Sequence, residues 1–189
     1  MYPLRLTGGG VSLREFRPDD VDDVLGIIGD DRVTSWLSFD SRDRSQAAAM
    51  VSTVVARAQE VPRQEYYLAV TRAKPSDDRL IGFARLALDG VQAAKLGYAI
   101  AADHWGHRYA TDAVRAMLQF GFGTLGLHRV SAAIGPENQS SIAVVKRIGL
   151  TYEGRIRHHV RTNGEWRDSL LYSILDEDWV RAGKSEDVG

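Results

Sequence analysis

The chain contains no cysteine. Disulfides, thiolate metal ligands and acyl transfer through an enzyme thioester are therefore excluded. Its five histidines show neither HExxH-type nor paired-ligand spacing, so no metal is expected. No apolar run approaches the roughly 20 residues that span a bilayer. The opening, Met1-Tyr2-Pro3-Leu4-Arg5, also lacks the apolar segment of a secretory leader. The corresponding expectation is a cytoplasmic protein with no membrane partner. An excess of one charge is missing too: 24 Lys and Arg face 25 Asp and Glu, a net charge of −1. Such a balance gives no general pull toward nucleic acid or anionic lipid, and no specific nucleic-acid partner is expected. There is no Gly-x-Ser-x-Gly elbow, which removes the serine-hydrolase reading.

What is present suits one globular domain over 1–189, with 182–189 expected to fray. The chain has 189 residues, 44% hydrophobic and 26% charged, enough for a sizeable core. Val11 to Phe16 alternates like an edge strand, and Pro18-Asp19-Asp20 opens a helix carrying Val21, Val24, Leu25 and Ile28 on one face. A second helix is predicted from about Asp43 to Glu60. Between the two, Trp36, Leu37 and Phe39 either line a pocket or pack the helices. Gln64 to Thr71 and Leu80 to Leu88 read as strands around a turn at Lys74-Pro75-Ser76-Asp77-Asp78. Leu96 to Ala101 reads as a strand that runs through a short loop into a helix ending near Gly123. His128 to Ile134 is a further strand. Asn138 then caps a short helix that Gly149 stops, and Asn163-Gly164 turns a hairpin of about Leu150 to Thr162 and Trp166 to Leu175. Strands interleaved with helices give an α/β or α+β fold built on one mixed sheet.

The loop Asp103-His104-Trp105-Gly106-His107-Arg108-Tyr109-Ala110-Thr111-Asp112-Ala113 is the most informative stretch. A helix entered from such a loop directs free N–H groups and the positive end of its dipole toward the preceding strand, a seat for phosphate. Trp-Gly-His-Arg-Tyr-Ala-Thr-Asp-Ala resembles the pyrophosphate-binding signature of the RimJ/RimL-like branch of the GNAT acetyltransferases, usually near Trp-Gly-x-Gly-Tyr-Ala-x-Glu-Ala. Asn138-Gln139-Ser140-Ser141 leading to Gly149-Leu150 resembles that branch's Asn-x-x-Ser helix. Tyr152 to Arg157 and Asp168 to Ile174 resemble its closing pair of strands. The likeness runs in order from Val11 to about Trp179. It implies one sheet of six or seven strands, about four flanking helices, and a splay where the cofactor's pantetheine arm enters.

The resemblance further implies an N-acetyltransferase that takes an acetyl group from acetyl-CoA to a primary amine without a metal. The acceptor is a protein N-terminus, an antibiotic or a small metabolite, and the protein a monomer or homodimer. Backbone at Gly106, His107, Arg108, Tyr109, Ala110 and Thr111 would hold the diphosphate, and the N–H of Ile100 would polarise the thioester carbonyl. Asn138 would bind the pantetheine arm. The tyrosine used by many superfamily members at the leaving thiolate corresponds to Val145, so Ser141 takes that role in this branch, unless Asn138 and Ser141 simply cap a helix. Arg108 stands where the central glycine is usual. If that position needs a positive φ, the side chain costs about 1 kcal/mol unless its guanidinium meets a phosphate. Alternation places His158 with Ile156 and Val160, and Asp168 on an apolar face with Trp166, Leu170 and Tyr172. His158 is a candidate base, the alternative being a water relay, and Asp168 is either its partner or a sheet anchor, while Arg155, Arg157, His159 and Arg161 form a solvated face. The other reading is a GNAT-fold module, regulatory or acyl-CoA-binding, with impaired catalysis.

Overall fold

A computed structural model describes residues 2–74 and 78–186. Eight strands form one sheet in the order β1-β2-β3-β4-β5-β6-β8-β7. They are β1 (Arg5–Gly8), β2 (Val11–Glu15), β3 (Glu65–Arg72), β4 (Leu80–Leu88), β5 (Ala93–Ile100), β6 (Arg129–Ile134), β7 (Thr151–Thr162) and β8 (Glu165–Leu175). Every neighbouring pair is antiparallel except β5 and β6. The helices are α1 (Val21–Ile28), α2 (Asp31–Thr34), α3 (Arg44–Arg57), α4 (Tyr109–Gly123), α5 (Gln139–Ile148) and α6 (Asp176–Glu186).

Each face of the sheet carries its own core. On one side α4 and α5 bury Val114, Met117, Leu118 and Val145 against Leu68, Leu86 and Val130. On the other, α1 and α3 bury Val24, Ile28 and Val51 against Ala69, Phe83 and Ala99. Strands covered on both faces read as continuous apolar runs, which is why Leu80-Ile81-Gly82-Phe83-Ala84 occupies the middle of the sheet. Asp43 caps α3 through a reciprocal bond pair with Gln46. Two buried ion pairs brace β2: its Arg14 grips Asp20, just ahead of α1, at 2.7 and 2.8 Å, and its Glu15 holds Arg63 at 2.7 and 3.0 Å.

Among the described residues the strands number eight against the expected six or seven, and six helices stand where about four were expected. The short β1 pairs with β2, so Val11 to Phe16 does not form an edge strand, and Val11 and Leu13 are wholly buried. Pro18–Asp20 forms a separate 3-10 turn ahead of α1. α6 runs to Glu186, with its Trp179 packed against Phe122, and residues 187–189 of the tail expected to fray lie outside the described residues. Of the expected turn at 74–78, Pro75, Ser76 and Asp77 lie outside the described residues. The closing hairpin turns at Asn163 (φ 52°) and Gly164 (φ 79°), both left-handed as a type I′ turn requires.

Candidate active site

The parallel pair β5 and β6 opens the site. Among the described residues they meet at Ala93, Ala94 and Lys95, and from Leu96 onward the register ends and the strands part. Antiparallel ladders alternate hydrogen-bonded with non-bonded pairs. The N–H of Ala101 bonds the carbonyl of Ile81 at 2.9 Å. Ile100, opposite Gly82, therefore turns its backbone groups away from β4 and toward the gap. Its carbonyl is taken by Trp105 Nε1 at 2.8 Å, and its N–H faces the wedge.

The N-terminus of α4 borders the same wedge. Gly106 has φ 81° and Arg108, the N-cap, has φ 63°. The position where a glycine is usual is thus left-handed, and an arginine occupies it at the steric cost of a β-carbon. Arg108 offers no side-chain cap, and the first intrahelical bond runs from the N–H of Asp112 to the carbonyl of Arg108 at 3.0 Å. The N–H groups of Tyr109, Ala110 and Thr111 are left for a ligand. Asp112, the acid of this first turn, is drawn aside: its carboxylate accepts from the N–H of Gly10 at 2.8 Å. At Gly9 (φ 51°), an added Cβ would come within 2.5 Å of that carboxylate. The β1–β2 turn thereby keeps a negative charge away from an anion seat.

Asn138 caps α5, its Oδ1 accepting from the N–H of Ser141 at 3.0 Å, and Gly149 ends the helix at φ 100°. The cap uses the backbone of Ser141, so the serine hydroxyl remains available. Val145 is fully buried in the core. Across the wedge, Tyr98 on β5 donates its hydroxyl to the Ser141 carbonyl at 3.3 Å, and burial pushes the phenol up to about 12. Tyr98 is a cleft residue not among those expected from the sequence. A hydroxyl within an otherwise apolar strand needs a polar partner, and that was the signal for it.

The β7–β8 hairpin forms the far wall, and here alternation fails. The register slips between Ile156 and Val160, and His158 takes φ 49°. Asp168 holds this bulge: one oxygen accepts from the backbone N–H of His158 at 2.8 Å and the other from Arg155 Nε at 2.7 Å. Those bonds, the backbone one foremost, hold its carboxyl below the usual range. His158 does not share a buried face with Val160; it is exposed and stacks on Trp166, centroids 6.1 Å apart. Trp166 is itself 57% exposed rather than part of an apolar face. His159 is exposed, as expected of the solvated face, and also meets Ser169 Oγ at 3.0 Å through Nδ1. Arg167 donates to the carbonyls of Ser35, at 2.6 Å, and Leu37, pinning the segment after α2 to this wall. The N–H of Asn163 adds a bond to Asp40 at 2.7 Å. Trp36 and Leu37 line the cleft, whereas Phe39 lies under Arg42 and packs against the α1–α3 core.

One cleft of about 1280 Å³ collects Ile100, all six residues from Gly106 to Thr111, Asn138, Ser141, His158 and Asp168. An uncapped helix start, a strand gap lined by an unpaired amide and a long cavity joining them fit a diphosphate on an extended thioester arm.

Comparison with known proteins follows the same outline. Residues 11–151 match the family model of the acetyltransferase (GNAT) domain. The N-acetyltransferase p20 of Bacillus licheniformis, itself uncharacterized, is 27% identical over 183 residues, covering 95% of this chain and 98% of its own. The alanine N-acetyltransferase of ribosomal protein uS5 from Escherichia coli (strain K12) is 28% identical over 109 residues, 56% of each chain. Among solved structures, Mycobacterium smegmatis RimJ in complex with CoA-disulfide superposes with a TM-score of 0.75 at 25% identity, over 96% of this chain and 93% of its own.

Proposed function

This chain belongs to the GNAT acetyltransferases, and from that premise we propose that it carries an acetyl group from coenzyme A directly to the primary amine of a peptide N-terminus. The observation that carries the reading is the convergence of the uncapped α4 amides and the Ile100 N–H on one cleft. Bound acetyl-coenzyme A supplies the activated acyl group. The N–H groups of Tyr109, Ala110 and Thr111 hold the diphosphate, with the Arg108 guanidinium beside them. Ile100 directs its N–H at a carbonyl lying in the wedge, where water is excluded and a fixed dipole acts strongly. Asn138 and the Ser141 hydroxyl face the arm. Ser141 donates its proton toward the departing sulfur, the part that a phenol would play if Val145 were tyrosine.

His158 takes the proton that the amine sheds as its nitrogen bonds the carbonyl carbon and the carbon–sulfur bond breaks. Asp168 positions His158 through its backbone. Both carboxylate oxygens are engaged and its protonation is disfavoured, so it is poorly suited to accept the proton itself. A peptide acceptor is supported by the uS5 enzyme of E. coli, whose name specifies a ribosomal-protein alanine. The test is thiol release from acetyl-coenzyme A with a panel of amines. Because the chain has no cysteine, a thiol reagent reads only released coenzyme. Turnover with peptides is expected. Coenzyme binding without thiol release by any amine would instead mark a binding module.

A further inference from the structure

Three of the four tryptophans border the cleft. Trp105 is committed to Ile100 at the cofactor end. Trp36 and Trp166 stand at the other end, 45% and 57% exposed. Large aromatic surfaces kept wet at a cavity mouth are costly unless something covers them. Both are also held in place. Arg167, next to Trp166 in β8, bonds the carbonyls on either side of Trp36, and His158 stacks one face of the Trp166 indole. Preformed aromatic walls lose little freedom when a ring packs on them.

Arginines outnumber free acids at this end. Arg155, paired with Asp168, and Arg167 line it, Arg157 and Arg161 continue along the exposed strand β7, and Glu165 stands exposed at the hairpin turn. Asp168 is fully engaged by the bulge, and Asp40 is engaged by the hairpin turn. The other carboxylate of the cleft, Glu137, lies in the loop before α5. A polyamine or aminoglycoside would meet more guanidinium than free carboxylate at this end.

Resting on the acetyl-transfer reading above, we propose that the acceptor is a peptide N-terminus with an aromatic first residue followed by acidic ones. The ring packs on Trp166 at the mouth where Trp36 also stands, and the acids run along Arg157 and Arg161. The experiment compares kcat/KM by thiol release for peptides of equal length beginning Phe-Asp-Glu, Ala-Asp-Glu and Phe-Lys-Lys, with spermidine alongside. The Phe-Asp-Glu peptide is expected to exceed the Ala peptide by about fivefold, the range of an aromatic contact. It should exceed the Lys peptide by about tenfold at low salt, a gap that narrows as salt screens it. Trp166→Ala and, separately, Trp36→Ala should erase the preference for phenylalanine. The double change Arg157→Glu and Arg161→Glu should erase the preference for acid. Equal or better use of spermidine or the Lys peptide would overturn the proposal, as would a phenylalanine preference that survives both tryptophan changes. Absence of thiol release with every amine would instead overturn the acetyl-transfer reading, and this proposal with it.

Discussion

Replacing Arg108 by glycine separates two effects that the native residue combines. Its φ of 63° is left-handed, where a β-carbon costs about 1 to 2 kcal/mol. Glycine removes that strain but adds freedom to the unfolded chain worth about 0.4 to 1 kcal/mol. The balance is a gain of about 0.5 to 1 kcal/mol, or about 1 to 4 °C in Tm for a chain of this size. The guanidinium is exposed on the cleft and has no ion pair among the described residues, so its removal costs the fold nothing further. Removal does cost the ligand a charge-assisted contact. Discounted for exposure to about 1 kcal/mol, the loss is about fivefold in coenzyme A affinity. Arg108→Ala should lose the same affinity without gaining stability, because it keeps the β-carbon. Scanning calorimetry and titration calorimetry with coenzyme A read the two quantities on all three proteins. An Ala variant as stable as the Gly variant would refute the strain assignment, and undiminished affinity in both would refute the phosphate contact.

Ser141→Ala should lower kcat about tenfold or more, by the loss of a proton donor. It should leave Tm within about 1 °C, since the cap uses the Ser141 N–H and not its hydroxyl. A parallel fall in Tm would point to a structural role. His158→Gln should lower kcat/KM about tenfold or more, and an unchanged kcat/KM would remove His158 from the proton path. Glu153 is held down to about 2, first by Arg129 and then by the Ser173 hydroxyl. Its folded value lies below the ordinary 4.5, so its stabilisation is complete above that pH and fades as pH falls toward 2. Glu153→Gln should therefore destabilise by about 1 kcal/mol at pH 7, discounted for partial exposure, with the gap to wild type closing in acid. Urea midpoints that differ equally at pH 7 and pH 3 would contradict this.

The parts of the fold visible in the sequence are those decided by neighbouring residues. Asn138 and Gly149 mark α5 by cap chemistry, Asn163-Gly164 marks a type I′ turn, and the apolar runs of β4 and β5 follow from burial on both faces. The parts that were hidden depend on distant partners. The β7 bulge exists because Asp168, on the neighbouring strand, captures the His158 N–H and Arg155 together. A period of two carried through Ile156 to Val160 misplaces His158 for that reason. The single turn of α2 relies on Asp30 capping Arg32 and on Arg167 reaching across from β8. α6 has few apolar residues of its own and docks through Trp179. The cofactor side of the cleft was legible because a loop and a helix start are contiguous in the chain. The acceptor side is assembled from α2, its following segment and the hairpin, and only the folded chain brings them together.

The measurement that bears most directly on the central claim is a titration of isotope-labelled protein with coenzyme A, followed by amide proton and nitrogen shifts. The largest changes are expected at Gly106 to Thr111 and at Ile100, where unpaired amides face the wedge. Shifts confined to other parts of the sheet, with those seven amides unmoved at saturation, would contradict it.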